Sequence, residues 1–168
     1  VGDKLALTPP MGWNSWYIHY DRVTDKVMRG AADAMIDSGL ADYGYQYVNI
    51  DDCWMVKAGS RDPMIGGDIR DASGAIRSNR HFPDMKNLAD YIHSKGLKAG
   101  LYTSPGPTTC QRYAGTYEHE QIDAEKFAEW EFDFLKYDWC SYTRVATGEG
   151  LERLQIPYRK MGDILKEL

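Results

Sequence analysis

Four short runs rich in apolar and aromatic residues alternate along this chain with stretches of helical spacing, and that alternation constrains the fold more than any other feature. The first run follows Thr8-Pro9-Pro10 and carries Trp13 and Trp16; the others span residues 45–50, 97–103 and 134–140. Each reads as a β-strand. Thr24 or Asp25 caps a first helix, with Val27, Ala31, Ala34, Met35 and Ser38 on one stripe and Gly39 past its end. Pro83 begins a second, with Met85, Leu88, Ala89 and Ile92 at helical spacing and Gly96 beyond them. A third runs over roughly residues 122–131 with Phe127 and Trp130 facing the core, and Pro157 starts a fourth with Tyr158, Met161, Leu165 and Leu168 on one stripe. The order β-α-β-α-β-α-β-α calls for an α/β fold: a parallel sheet, right-handed crossovers and helices packed outside. Four such units are half of an eight-fold barrel, which takes about 250 residues. The 168 residues here therefore make an open four-stranded sheet, a half-barrel that pairs with itself or another chain, or the N-terminal portion of a full barrel. A half-barrel alone exposes two strand edges and an apolar inner face, so self-association is expected unless something covers them.

The strands break off in charged residues. In the fourth, Lys136 and Asp138 are two positions apart and share one face. The second stops at Asp51-Asp52-Cys53-Trp54. Neighbouring strand positions point to opposite faces, so both carboxylates reach one site only if the strand twists or bulges at its end. In a barrel the C-terminal strand ends form the active-site face, which places these acids for chemistry. Between Met55 and Phe82 lies a long Gly-, Asp- and Arg-containing stretch, which reads as a functional lid or a poorly ordered loop.

With a net charge of −5 and interleaved signs, the chain has no basic stripe for a phosphate backbone, which excludes nucleic acid as a partner. No apolar run approaches the 18 or so residues of a membrane span, and Val1-Gly2-Asp3-Lys4 do not form a signal peptide. The start at Val1 rather than Met is open to a removed leader or tag, or to a segment of something longer. Three cysteines leave at least one unpaired. Cys110 and Cys140 follow neighbouring strands, so a bridge between their loops is sterically reasonable and favours an oxidising compartment, with Cys53 a buried free thiol. His19, His81, His93 and His119 show no zinc spacing, and no phosphate-binding glycine loop is present; neither a metal nor an organic cofactor is expected.

Taken together, Pro10-Met11-Gly12-Trp13-Asn14-Ser15-Trp16, Asn49-Ile50-Asp51-Asp52-Cys53-Trp54, Gly96-Leu97-Lys98-Ala99-Gly100-Leu101-Tyr102 and Leu135-Lys136-Tyr137-Asp138-Trp139-Cys140 resemble glycoside hydrolase family 27, the α-galactosidases and α-N-acetylgalactosaminidases. The resemblance implies a retaining hydrolase on a (β/α)8 TIM barrel acting on terminal α-linked galactose, with residues 1–168 as the N-terminal half of the catalytic domain. It assigns Asp138 as nucleophile and Lys136 as a ligand of sugar hydroxyls that also holds positive charge near Asp138. Asp51 and Asp52 bind the hydroxyls at C4 and C6, Trp16 forms an aromatic wall, and Tyr102 stands near the nucleophile. Cys110 and Cys140 match a disulfide, while Cys53 matches a cysteine whose partner is missing here, so a second bridge is not expected.

Retaining hydrolysis uses one carboxyl group to attack the anomeric carbon and a second to protonate the leaving oxygen. The Lys136 cation beside Asp138 is expected to keep the nucleophile ionised. In the family the partner acid comes from a later strand, outside this sequence, as does the loop that separates galactose from N-acetylgalactosamine. A galactose-containing saccharide is thus the expected partner and a secreted, periplasmic or lysosomal location the expected one. The rival readings are a catalytically incomplete half-barrel that binds galactose or serves as a structural module, and an enzyme for α-N-acetylgalactosamine or β-L-arabinopyranose.

Overall fold

The structure is a computed structural model that describes residues 7–168, so the reading of Val1 to Lys4 lies outside the described residues. Four strands, β1 (Gly12–Asn14), β2 (Tyr47–Asn49), β3 (Lys98–Thr103) and β4 (Phe134–Tyr137), form one parallel sheet in the order β1-β2-β3-β4. The helices are α1 (Trp16–His19), α2 (Asp25–Asp37), α3 (Met85–Ser94), α4 (Glu120–Glu129) and α5 (Gly150–Glu167). This is the α/β architecture that the alternation predicts, with β1 and β4 as open edges. Among the described residues no helix is long and apolar enough to cross a membrane.

Alternation along the strands separates two functions. Val48, Ile50, Ala99 and Leu101 point under the helices and are at most 1% exposed, where they meet Met28, Leu88, Ala89, Ile92 and Phe127 in a continuous core. The opposite, concave face corrects the expectation of an apolar inner surface. It carries Gly12, Asn14, Tyr47, Asn49, Lys98, Gly100, Phe134 and Lys136. The Tyr47 ring meets Phe134 edge-on at 5.6 Å, and Lys98 stands 5.4 Å over Tyr47. The Asn49 side chain, as placed, leaves room only for glycine at position 100. A Cβ would come within 1.6 Å of Asn49 Oδ1 on the neighbouring strand.

Helix boundaries follow capping chemistry. Thr24 Oγ1 accepts the Val27 N–H at 3.3 Å to start α2, and Gly39, at φ +76°, ends it. The buried row of α2 is Met28, Ala32 and Met35; of the predicted stripe Met35 is buried, and Val27 and Ala31 pack half-buried against the core. Ala34 and Ser38 are at the surface, where they line an apolar groove of about 440 Å³ with Trp13, Ile18, Val27 and Ala31. In α3 the buried residues are Met85, Leu88, Ala89 and Ile92, as the spacing predicts. Its cap is Asp84, whose carboxylate accepts the Asn87 N–H at 2.9 Å, so Pro83 lies just outside the helix.

Three further boundaries differ from the sequence reading. Only Trp13 lies in β1, because Trp16 already opens α1. Helix α4 starts earlier than expected, at Glu120, and α5 starts at Gly150 with Pro157 in its interior. The first turns of α5 bury nothing, Leu151 and Leu154 being 68% and 49% exposed. Without a buried stripe there is no periodic signal, and the proline, usually a first-turn residue, stands out as a false start.

The stretch from Met55 to Phe82 is not a loose lid. Bridges pair Met55 with Ser78, Lys57 with Gly66 and Arg70 with Ile76, and Met55, Ile76 and Phe82 enter the core. Arg70 anchors it: its guanidinium binds both oxygens of Asp123 on α4 at 2.7 and 3.1 Å and the carbonyls of Gly74 and Gly115 at 2.9 Å.

Candidate active site

The C-terminal ends of the four strands surround a cleft of about 170 Å³, lined by Trp16, Asp51, Asp52, Tyr102, Cys110, Lys136 and Asp138. All but one of the residues singled out from the sequence thus line one place, and the other, Cys140, is bonded to Cys110 at its rim.

How two adjacent aspartates both reach it is visible in the backbone. The ladder continues one residue past β2, with Ile50 N–H donating to Gly100 O at 2.9 Å. The chain then turns on its own carboxylates. Asp51 N–H donates to Ser15 Oγ at 3.0 Å, Asp52 N–H to Asp51 Oδ1 at 2.9 Å, and Cys53 N–H to Asp52 Oδ1 at 2.7 Å. Cys53 takes a left-handed φ of +80°, uncommon for a side-chain-bearing residue. This turn is the departure from regular strand geometry that the paired aspartates require.

Asp51, 3% exposed, accepts from Asn14 Nδ2 at 2.8 Å and from Lys136 Nζ at 2.7 Å, both at Oδ2. Lys136 Nζ is also 3.7 Å from Asp138 Oδ2 and 5.0 Å above the Tyr102 ring. Burial works against the charge on Lys136, but the two aspartates outweigh it and hold its pKa above that of an ordinary lysine. Asp138, two-fifths exposed at its side chain, is anchored by its N–H, which donates to Thr103 O at 3.0 Å.

Asp52 has a different environment. Burial pushes its pKa up. The N–H groups of Gln111 and Cys53 and the Thr109 hydroxyl favour the carboxylate and oppose that shift, while the charge of Asp51 adds to it. Gln111 N–H donates to Asp52 Oδ2 at 2.9 Å. Tyr102 is fully buried, with its pKa well above the usual tyrosine range chiefly through burial, so its phenol stays neutral. Its hydroxyl lies 3.5 Å from Cys140 Sγ. Trp16, half-buried, has its backbone N–H fixed by Asn14 Oδ1 at 2.9 Å and its ring edge-on to Tyr20 at 5.3 Å.

Cys110 and Cys140 form a disulfide with Cα atoms 4.9 Å apart. Cys53 is free and buried, its thiol pushed up to about 12 chiefly by burial, which makes it inert. Two groups among the described residues have metal-ligand chemistry. One is Asp138 with the two bridged cysteines, which as a disulfide offer no thiolate. The other, Asp90, His93 and Glu131, lies at the surface with its carboxylates paired to Lys86.

The sequence reading assigned no role to Asn14, Ser15, Thr109 or Gln111. Ser15 is fully buried; a small polar residue inside the first aromatic motif was the signal for it. Gln111 acts through its backbone, so its side chain gives no signal at all. The arrangement offers an exposed carboxylate beside a cation, two buried acceptors with fixed orientations and an aromatic wall, which suits a polyhydroxylated ligand.

The family model described as alpha galactosidase A (Melibiase_2) matches residues 8–166 of this chain. The chain is 46% identical over 140 residues to an alpha-galactosidase A of Cellvibrio japonicus, across 82% of this chain and 32% of that protein. It is 44% identical over 167 residues to a probable alpha-galactosidase of Dictyostelium discoideum, across 98% of this chain and 38% of that one. Alpha-galactosidase I from Mortierella vinacea superposes with a TM-score of 0.87 at 37% identity, covering 99% of this chain and 39% of that one. The α-galactosidase of Saccharomyces cerevisiae with raffinose gives 0.85 at 34% identity, over 97% and 33%. The chain therefore spans 32–38% of the length of these two curated relatives.

Proposed function

This chain belongs to the alpha galactosidase A family, glycoside hydrolase family 27, and from that premise we propose that it supplies the nucleophilic half of a retaining α-galactosidase site. Asp138 attacks the anomeric carbon of a terminal α-linked galactose. The bond from that carbon to the leaving oxygen breaks, the oxygen takes a proton from an acid outside these 168 residues, and a galactosyl ester of Asp138 results. Water then cleaves the ester and frees galactose. Asp51 and Asp52 accept hydrogen bonds from the C4 and C6 hydroxyls, Lys136 donates to the sugar and offsets negative charge at Asp138, Trp16 presents aromatic surface to the ring, and Tyr102 stands near the nucleophile beneath Lys136. Residues 1–168 are, on this reading, the N-terminal half of a (β/α)8 catalytic domain, completed at the open edges of β1 and β4 by further barrel units or by another copy. A location outside the cytosol fits the Cys110–Cys140 bridge.

The observation that carries the reading is the meeting of Asp51, Asp52, Lys136 and Asp138 in one cleft. Incubation with a fluorinated galactosyl donor bearing a good leaving group, which needs little help from an acid, followed by intact-mass and peptide analysis, tests it. A galactosyl-sized increment on Asp138, lost in Asp138→Asn, is expected. A folded protein that takes no label, or takes it elsewhere, overturns the assignment.

A further inference from the structure

The segment Thr109-Cys110-Gln111 does two things at once. Cys110 is bonded to Cys140, two residues past Asp138. Its neighbour Gln111 donates its backbone N–H to Asp52 Oδ2 at 2.9 Å. Among the described residues no cation pairs with Asp52, since Lys136 is spent on Asp51 and Asp138, so the Gln111 and Cys53 N–H groups are what hold its charge. Cys110 is exposed on the cleft, which leaves the bridge open to a small thiol.

We propose that the Cys110–Cys140 disulfide is a redox-responsive positioning device for Asp52, so that its reduction by a small dithiol frees the Gln111 amide from Asp52 and loosens the cleft's hold on a sugar. The exchange is balanced: the dithiol loses two electrons and two protons and closes to its own disulfide, while the Cys110–Cys140 bond becomes two thiols. The last part rests on the proposed sugar-binding role of Asp52; the first does not. Elsewhere the loops stay joined after reduction, because Ser141 Oγ donates to Thr108 O at 2.6 Å and accepts the Thr108 N–H at 3.0 Å. Thr109 is likewise held by Tyr113, through Thr109 N–H to Tyr113 O at 3.0 Å and Tyr113 N–H to Thr109 Oγ1 at 3.1 Å, so the change is confined to Cys110 and Gln111.

A readout follows that loss of structural support alone would not give. Asp52 is faced by Asp51 and Cys53 on its own turn, by Tyr102 from β3, and by Thr109, Tyr113 and the Gln111 donor from the loop after β3; Lys57 and Asp21 lie beside Cys53. Of these groups only the Gln111 donor is released by reduction. It favours the carboxylate, so Asp52 takes up its proton at higher pH in the reduced protein.

The test compares the oxidised chain, the chain reduced with dithiothreitol and the C110S/C140S variant. It uses NMR titration of the Asp52 carboxyl, hydrogen exchange at the Gln111 amide and calorimetric titration with galactose. In both bridge-free forms the Asp52 midpoint is expected to rise, Gln111 to exchange faster and galactose affinity to fall about tenfold, the weight of one hydrogen bond to a charged group; reoxidation reverses all three. An unchanged Asp52 midpoint and unchanged Gln111 protection, in a chain whose mass shows two added hydrogens, overturns the proposal. So does global unfolding on reduction, which would make the bridge purely structural. If Asp52 and Gln111 respond but neither state binds galactose, the positioning device stands and the sugar reading is what fails.

Discussion

Lys136 Nζ lies 2.7 Å from Asp51 Oδ2 across 85 positions of sequence, a contact that ties the second strand's end to the fourth. Asp51 is buried, whereas the Lys136 side chain is 38% exposed, so water screens part of the pair. Lys136→Met is expected to cost about 1.5–3 kcal/mol, the range for a hydrogen bond to a charged group, towards the low end because of that exposure. Urea unfolding of Lys136→Met, Asp51→Asn and the double variant checks it. A double-mutant cycle with no coupling energy would remove the pair from the account.

Gly100 is a packing requirement. An added methyl would meet Asn49 Oδ1, and overpacking of this kind costs about 1–3 kcal/mol or more. Gly100→Ala is expected to lower the melting temperature, and Asn49→Ala in the same chain to restore most of the loss. Equal melting temperatures for Gly100→Ala and the parent would contradict this.

Beside its bridges and core contacts, the strap over residues 55–82 is fastened to α4 by one ion pair. Arg70→Met strands Asp123, whose side chain is fully buried, and breaking a buried pair from one side costs about 3–5 kcal/mol. The loss should appear in denaturant unfolding together with new protease cleavage between Met55 and Phe82. Cleavage confined to other loops would show that the strap is held by something else.

Asp52 sets a pH dependence of stability. Burial raises its folded pKa above the ordinary aspartate value of 3.8, so the folded chain holds the proton more tightly than the unfolded one. In the window from that value up to the folded pKa, the folded state binds more protons, and stability falls as pH rises. Below the window the contribution is fully present; above it, it is lost. Asp52→Asn removes this component, so the stability of the parent minus that of the variant should decrease with rising pH across the window. Unfolding free energies measured from pH 3.5 to 7 decide the matter, and a difference that grows with pH reverses the sign.

The alternating elements, the caps at Thr24 and the Met85 to Ile92 stripe were legible because each is a local pattern backed by burial. The start of α5 was hidden because its first turns bury nothing, and Pro157 then drew attention to the wrong residue. The register of the α2 stripe was ambiguous because small residues occupy both candidate rows, Ala31 and Ala34 on one and Ala32 on the other. At the site, the carboxylates and Lys136 could be picked out from strand ends, and the family resemblance implied that they meet. The backbone that brings them together could not be read, because it depends on a left-handed Cys53 and on a backbone donor at Gln111, neither of which a residue type announces.

The two-residue alternation of the strands has a consequence for how such a chain can change. Within each of β2 to β4 and the residues just after them, alternate positions, Val48, Ile50, Ala99, Leu101 and Leu135, are committed to the helices, while Asn49, Asp51, Gly100, Tyr102, Lys136 and Asp138 lie on the opposite side, which carries the cleft. In the second set Gly100 and Tyr102 are also held by packing and Lys136 by its ion pair with Asp51, whereas Asp138, two-fifths exposed at its side chain, is not. Specificity in this scaffold can therefore drift by single steps only where packing leaves the cleft side free, and a saturation scan scored separately for folding and for ligand binding would show which cleft-side positions those are.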